Sequence, residues 1–308
     1  MPQPELCVIF NPAAGKNRAT RRIESLRQSW GDRVAFRPTQ RPGHAMELAK
    51  QASLDGFSIV AGAGGDGTIH EVANGILASG RDDVRFALFP IGSANDFAYS
   101  LFRAANNGES TRRIDVGVVR AEDGRSRHFV CCAGLGFSGA VTVESRRIKK
   151  LQGTLLYGWA TIKALWRRYA IPEVELEIDG ATTRMPTLMF SLFQGEREGG
   201  FVLAPDAVLD DGLFDFVQVG PLSRWEVMRF LPRLALFGPP KDHPKLRQGR
   251  CRTVRFRSDQ PVNVHLDGEL LCTQEDGLRS FEMEMKPQAL CVDLAVCSEA
   301  LEPSARRS

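Results

Sequence analysis

A single carboxylate, Asp66, stands among small residues in the run Gly64-Gly65-Asp66-Gly67-Thr68, followed by Glu71, Asn74 and Gly75. Glycines let backbone amides approach phosphate oxygens closely and take up positive φ without a side-chain penalty. A carboxylate in that setting repels phosphate unless a divalent cation lies between them, so the pairing predicts Mg²⁺-nucleotide chemistry. Thr68 and the following Ile-His-Glu-Val-Ala-Asn read as the first turns of a helix whose N-terminus faces the same anion. A second polar cluster, Pro90-Ile91-Gly92-Ser93-Ala94-Asn95-Asp96-Phe97, offers a hydroxyl at Ser93, an amide at Asn95 and a carboxylate at Asp96. Asp96 serves equally well as a helix cap before Phe97. Asp115, in Ile114-Asp115-Val116-Gly117, is a third carboxylate beside an apolar segment.

These residues need a scaffold, and the flanking sequence provides one. Leu6-Cys7-Val8-Ile9-Phe10 is a continuous apolar run of the kind found in buried parallel strands, ending in the breaker cluster Asn11-Pro12-Ala13-Ala14-Gly15. Strands are also expected over residues 34–39, 57–61 and 86–90, with helices over about 18–29 and 44–52 between them. Alternation of this kind argues for a parallel α/β sheet, with loops gathered at the carboxyl ends of its strands. Beyond Val118 the rhythm changes. Glu173-Val174-Glu175-Leu176-Glu177-Ile178-Asp179 alternates strictly, as a half-solvated antiparallel strand does, and Asp179-Gly180 turns the chain. Further strands around 187–193, 214–219, 253–257 and 262–266 make the second half an antiparallel sandwich, interrupted by helices near 155–168 and 223–237.

Composition narrows the classes. The chain has 308 residues, 43% of them hydrophobic, and a net charge of +3, so a core is affordable and wholesale nucleic-acid binding is not indicated. The amino terminus shows no secretory leader, and no apolar run approaches the roughly 18 residues a membrane-spanning helix requires. Seven cysteines in mainly apolar contexts, without a Cys-x-x-Cys pair, fit a reducing, cytoplasmic setting. His44, His128, His243 and His265 have no metal-ligand spacing and call for no functional role.

Two other nucleotide motifs fit less well. Gly62 to Gly67 formally matches G-x-G-x-x-G, with Asp82 at a suitable distance. The run follows the third strand rather than the first, however, and puts Asp66 in the path of the pyrophosphate. Gly15-Lys16 lacks the upstream glycine and following Ser/Thr of a phosphate loop.

Taken in order, Asn11-Pro12 with Gly15, Gly64 to Gly75, Pro90 to Phe97, Asp115-Val116-Gly117, Gly153 with Tyr157, Pro205 to Asp215, and Asp267-Gly268-Glu269 resemble the bacterial diacylglycerol kinase-type lipid kinases. That superfamily also holds sphingosine and ceramide kinases and, more distantly, NAD kinases. The resemblance implies an α/β nucleotide-binding domain (1–118), an antiparallel β-sandwich domain (119–290) and an active site in the interdomain cleft. A C-terminal segment (291–308) is expected to return toward the first domain, and its end, Glu302-Pro-Ser-Ala-Arg-Arg-Ser, reads as a disordered tail. ATP would contact Asn11, Pro12, Ala13, Ala14 and Gly15, then Thr39, then Gly65, Asp66, Gly67, Thr68, Ile69, His70 and Glu71, and finally Ser93. Asp66, Asp96 and Asp115 would organise the catalytic Mg²⁺, partly through water, and Glu269 would be the general base. Asp211, with the carbonyls of Val208 and Leu213, would hold a second, structural Mg²⁺. Ser93 replaces the usual Thr and keeps the hydroxyl, while His70 replaces a common Asn beside the nucleotide.

Read from the residues alone, the later positions keep more than one meaning. Asp-Gly recurs at Asp123, Asp179 and Asp276, where a hairpin turn explains it, and Asp211-Gly212 and Asp267-Gly268 can be turns too. Asp206 and Asp210 compete with Asp211 as ligands of a hard cation. The stretch 222–237 mixes Trp225, Met228, Phe230 and Leu231 with Arg224, Arg229 and Arg233. Packing on its own domain is the simpler reading of that helix; lying on an anionic bilayer is the other. The basic run Arg146-Arg147-Ile148-Lys149-Lys150 reads as solvated surface or as a headgroup contact. The expected partners are a lipid acceptor at the membrane surface and no nucleic acid, for a cytoplasmic, peripherally membrane-associated enzyme; a homodimer is compatible. A soluble-alcohol kinase of the NAD kinase type, or a nucleotide- and lipid-binding regulator without turnover, would use the same residues.

Overall fold

The computed structural model describes residues 5–15, 18–105, 108–148, 151, 153–240 and 242–301. Lys16, Lys149, Lys150 and the tail at 302–308 lie outside them. The chain forms two compact units. The first runs to Ile114 and resumes at Gln288; the second is Asp115–Pro287.

In the first unit β1 (Leu6–Phe10), α1 (Arg18–Trp30), β2 (Val34–Pro38), α2 (His44–Leu54), β3 (Ile59–Gly64), α3 (Asp66–Ala78), β4 (Arg85–Pro90) and α4 (Asp96–Ala104) alternate. The strands pair in parallel in the order β2-β1-β3-β4, with Phe10 opposite both Pro38 and Ala63, and Gly64 opposite Pro90. Every residue of β1 and β3 is buried, which explains their unbroken apolar character. This register ends all four strands at one edge, so the loops after them open together. The chain returns through Val292, which lies opposite Phe86, and finishes in a helix at Leu294–Leu301. That helix is fastened to β4 by Arg85–Asp293 (2.7 Å) and by the Leu88 N–H, which donates to Cys297 Sγ (3.3 Å).

The second unit is layered. A six-stranded antiparallel sheet carries, in spatial order, Leu246–Cys251, Phe214–Val219, Met189–Phe193, Cys132–Gly136, Val264–Leu266 and Glu269–Cys272. Its inner face packs on Glu173–Ile178 and Thr253–Ser258 and on the strand beginning at Ser280, through Phe190, Phe216, Leu176, Phe256 and Phe281. Phe190 and Phe256 meet across the layers with ring centroids 6.4 Å apart. The opposite face is covered by α5 (Phe137–Ser145), α6 (Gly153–Arg167) and α7 (Arg224–Phe237), with Phe137, Ala164, Leu165, Val217, Val219 and Val227 between. α7 starts with a full capping box, the Ser223 side chain accepting from the Glu226 N–H and Glu226 accepting from the Ser223 N–H. Six of the seven cysteines are buried in these cores. Burial pushes the Cys251, Cys272 and Cys297 thiols up to about 12 and Cys7 to about 11, so they behave as small apolar side chains.

One buried acid ties the outer helices together. Glu144 of α5 is fully buried and faces Arg147 (3.2 Å), Arg168 (3.0 Å) and Arg167 (3.6 Å). Removing one member of a buried ion cluster strands the rest. Arg147 and Arg167 are half exposed and can turn to water, so Glu144→Ala is expected at the low end of such costs, about 3 kcal/mol. Thermal denaturation of the variant against the parent measures it.

Candidate active site

The glycine block begins where β3 ends. Gly65 caps α3 in extended conformation, which leaves the first N–H groups of that helix, those of Asp66, Gly67 and Thr68, pointing out of its end. The loop after β4 lies directly against this end. The Ile91 and Gly92 N–H groups donate to the Gly64 carbonyl (2.7 and 3.1 Å). The Asp66 carboxylate reaches across and accepts from the Asn95 N–H with Oδ2 and the Asp96 N–H with Oδ1, both at 2.9 Å. Asp66 therefore caps α4 as well as opening α3. Asn95 itself sits in the left-handed region (φ 51°), held by its side-chain amide on the Gly92 carbonyl (3.1 Å).

The two loops touch backbone to backbone. A Cβ on Gly92 would lie 2.6 Å from Gly65 Cα and 2.8 Å from Asn95 Oδ1. Gly92→Ala must therefore push the loops apart, at a cost of about 1–3 kcal/mol for overpacking. A melting temperature unchanged from the parent would show that the loops have slack.

The remaining positions of this unit gather at the same edge. Asn11 folds its loop with its own side chain, Oδ1 accepting from the Ala13 N–H (2.9 Å), and the Thr39 N–H donates to the Phe10 carbonyl (2.8 Å). Ser93 is exposed and Ala13 is exposed, while Ala14 and Thr68 are buried. Ile69 and His70 turn their side chains into the core, where Asn74 Nδ2 donates to the His70 carbonyl (3.0 Å). His70 therefore shapes the interior of α3 and not the loop surface. Glu71 is taken up as a cap for α2, accepting from the Gly43 and Ala45 N–H groups (2.8 and 3.0 Å). Asp115 lies in the second unit, fully buried. Its N–H donates to the Leu209 carbonyl (2.7 Å) and its Oδ2 accepts from the Gly212 N–H (2.6 Å).

The turn that Asp115 fixes is the one expected to hold a structural cation. Here Asp211 Oδ1 accepts from the Leu213 N–H (3.0 Å), and Oδ2 faces the Arg250 guanidinium at 3.2 Å. Arg250 also reaches Asp215 (3.5 Å) and the Asp206 carbonyl (3.2 Å). Burial raises the Asp215 carboxyl above its ordinary range, and Arg250 opposes that rise. A guanidinium thus meets the charge of the loop that Val208, Asp211 and Leu213 belong to. A metal there would share Asp211 with the half-exposed Arg250. Among the described residues no three His, Cys, Asp or Glu side chains converge as metal ligands.

Glu269 follows a tight turn in which Asp267 (φ 51°) and Gly268 (φ 80°) are both left-handed. The turn is anchored from outside, because the Asp267 carboxylate accepts from the Val130 (3.0 Å), Cys131 (2.8 Å) and Cys132 (3.0 Å) N–H groups. Glu269 remains accessible and pairs with Arg146 at the end of α5. Beside it lies a group that the sequence did not single out. His265 Nε2 stands 2.8 Å from Ser138 Oγ and 3.0 Å from Glu198 Oε1, Ser138 also bonds Glu198, and His265 Nδ1 accepts from the Gly268 N–H (3.3 Å). Gly134 makes the approach possible, since a Cβ there would collide with His265 Nε2 at 2.3 Å and Ser138 Oγ at 2.4 Å.

This polar group closes one side of an apolar pocket within the second unit, between the outer face of the six-stranded sheet and α5, α6 and α7. Val141, Leu188, Val217, Val219, Phe230, Leu231 and Leu234 line it, with Ser138, Glu198 and Tyr157 among the few polar side chains. Tyr157 packs on Gly199, and its hydroxyl would meet a Cβ on Gly268 at 3.6 Å. The pocket and the Glu269 turn are neighbours.

Comparison with known proteins agrees with both halves. The family described as the diacylglycerol kinase catalytic domain matches residues 5–124, and that described as the YegS C-terminal NAD kinase beta sandwich-like domain matches residues 131–293. The chain is 30% identical over 277 residues to a diacylglycerol kinase of Bacillus subtilis (strain 168), covering 85% of this chain and 88% of the relative. It is 27% identical over 276 residues to a diacylglycerol kinase of Staphylococcus aureus (strain MRSA252), covering 85% of each. The crystal structure of a diacylglycerol kinase from Bacillus anthracis str. Sterne shares the fold, with a TM-score of 0.67 at 17% identity over 94% of this chain and 96% of that one. With a catalytic α/β domain followed by this β-sandwich, and a relative alike over nearly its whole length, the chain belongs to the bacterial diacylglycerol kinase-type family of lipid kinases.

Proposed function

We propose that the chain transfers the γ-phosphate of ATP to a hydroxyl of a diacylglycerol-like or sphingoid lipid at a membrane surface. The observation that carries this reading is the apolar pocket of the second unit, whose polar side chains adjoin the Asp267-Gly268-Glu269 turn. A soluble-alcohol acceptor such as NAD would find aliphatic and aromatic side chains where it needs hydrogen bonds.

In the proposed reaction the acceptor oxygen attacks the γ-phosphorus, the bond to the β-phosphate bridging oxygen breaks, and the acceptor proton passes to Glu269, leaving ADP. The proton need leave only as the new bond forms, so a carboxylate suffices at neutral pH. Arg146 orients that carboxylate. The amides at the start of α3 and the exposed Ser93 hydroxyl suit phosphate oxygens. Asp66 and Asp96, hard oxygen donors on abutting loops, are the residues to face a divalent cation carried by the nucleotide. Bound there, the cation would neutralise phosphate charge.

Large apolar side chains stand exposed on the two helices that flank the pocket: Leu155, Trp159 and Trp166 on α6, and Trp225 and Leu236 on α7. The Arg224 guanidinium lies over the Trp166 and Tyr169 rings (5.8 and 4.8 Å from the centroids). Tryptophans edged by arginine are the composition of an interfacial surface, which supports peripheral contact with an anionic bilayer. No helix among the described residues is long and apolar enough to cross a membrane.

A turnover screen decides the reading. Radiolabelled ATP is offered with diacylglycerol, monoacylglycerol, phosphatidylglycerol, ceramide or sphingosine in micelles, and with NAD, with and without Mg²⁺. Mg²⁺-dependent label in a lipid is the expected result. Label in NAD alone would move the chain to the soluble-alcohol kinases, and no label anywhere would favour a binding protein without turnover.

A further inference from the structure

The turn that presents Glu269 is held at both of its central residues. The Asp267 carboxylate takes the backbone N–H groups of Val130, Cys131 and Cys132. The Gly268 N–H, next to Glu269 in the chain, donates to His265 Nδ1 (3.3 Å). His265 is fully buried on the strand paired with the one that Glu269 opens, and a bulge between Val264 and His265 interrupts that pairing. An imidazole takes such an N–H only with Nδ1 bare, which puts its proton on Nε2. The neighbouring side chains favour that tautomer. Nε2 faces Glu198 Oε1 (3.0 Å) and Ser138 Oγ (2.8 Å), and Ser138 itself donates to Glu198. A carboxylate accepting at one ring nitrogen leaves the other as the acceptor.

Helix α5 supports the arrangement from both ends. Ser138 lies in its first turn, and Arg146, the partner of Glu269, follows its last residue. A Cβ on Gly139 would fall 2.3 Å from the Asn263 carbonyl oxygen, so the helix lies in backbone contact with the chain entering the His265 strand.

We infer that His265 is a positioning residue for phosphoryl transfer: oriented by Glu198 and Ser138, it fixes the Gly268 peptide and with it the direction in which Glu269 meets the acceptor hydroxyl. The inference rests on the lipid-kinase reading with Glu269 as base, and adds the support that base needs. A general base works only within hydrogen-bond reach of the proton it takes. A displacement of about 1 Å can cost about 10²-fold in rate. Gly268, in the left-handed region at φ 80°, has no side chain to restrain its peptide once the imidazole acceptor is gone.

His265→Gln tests this. Its amide reaches the place of Nε2, where it can donate to Glu198 and keep that buried carboxylate paired, and nothing occupies the place of Nδ1. Kinetics with ATP, Mg²⁺ and dioleoylglycerol or sphingosine in mixed micelles are measured for the parent, His265→Gln, Glu269→Gln and the double variant. In His265→Gln kcat should fall about 10- to 100-fold, with KM for both substrates within about threefold of the parent. In the Glu269→Gln background the same change should cost less than about threefold, because an absent base cannot be misaimed. Glu198→Gln combined with His265→Asn approaches from the other side. Asparagine carries a carbonyl oxygen to the place of Nδ1, the paired change removes the buried charge, and kcat should stay within about fivefold of the parent. Nitrogen-15 shifts of the parent's His265 ring should show Nδ1 bare and Nε2 protonated at neutral pH. A kcat within threefold of the parent in His265→Gln, an undiminished loss in the Glu269→Gln background, or a protonated Nδ1 overturns the positioning role and leaves the kinase reading standing. Should His265→Gln melt too early to assay, the ring shifts and the Glu198→Gln/His265→Asn variant decide. A parent that phosphorylates neither lipid, with Nδ1 bare, overturns the kinase reading and leaves the support of the turn intact.

Discussion

Glu269→Gln is expected to lower kcat for lipid phosphorylation by about 10³-fold while KM for both substrates stays within about threefold. Glutamine keeps the length and shape of the side chain, and its carbonyl oxygen can still accept from Arg146, the partner of Glu269 in the folded protein. The turn itself does not depend on residue 269. Its left-handed pair is Asp267 and Gly268, and it is pinned by three backbone N–H groups on the Asp267 carboxylate. The variant should therefore fold, bind and melt like the parent, and lose only the ability to take a proton in the transition state. The readout is steady-state kinetics over a range of lipid concentrations, with a melting curve on the same sample. A kcat within tenfold of the parent would remove Glu269 as the base. A variant that melts early would instead expose a structural role that the anchoring of the turn does not predict.

The sequence made the first unit legible to a degree that it did not match in the second, and the reason is how local each arrangement is. A parallel α/β sheet brings the segments after successive strands to one edge, so the glycine block and the Pro90 to Phe97 loop could be placed together from strand positions, while Thr39 and the role of Asn11 to Gly15 came only with the family resemblance. What pattern reading missed there is which side chains are consumed in holding the loops. Glu71 caps α2 and His70 is interior, and neither use leaves a mark in spacing. In the second unit Ser138, Glu198 and His265 come from a helix, a short hairpin and a bulged strand, 60 and 67 residues apart. His265 showed no ligand spacing because its partners are assembled only by the sheet order. The faint signal was one of context: a serine in Gly136-Phe137-Ser138-Gly139 and a histidine between Val264 and Leu266, polar residues where strand and helix both demand burial. Arg250 at the Asp211 turn was invisible for a similar reason, because it arrives from the neighbouring strand through the register that sets it opposite Asp215.

Asp66 shows how one residue can be both frame and instrument, and Asp66→Asn separates the two. Each of its oxygens accepts a backbone N–H, from Asn95 and from Asp96, so the carboxylate closes the start of α4 while lying at the start of α3. An asparagine offers one carbonyl oxygen and one amino group. Whichever way it turns, an N–H donor of the α4 end then faces the amino group. That mismatch at a part-buried site should cost about 1 kcal/mol, a fall of about 2 °C in Tm for a chain of this size. The loss of charge acts separately. A neutral side chain no longer attracts the divalent cation of the nucleotide, and activity should fall by about 10³-fold, far more than a loosened loop would cause. The two effects come apart in Asp96→Asn, which leaves both backbone donors to Asp66 in place. That variant should keep the melting temperature of the parent and shift the Mg²⁺ requirement upward. If Asp66→Asn instead lost activity only in proportion to its lowered stability, and its Mg²⁺ dependence matched the parent's, the carboxylate would be a brace between two loops and nothing more.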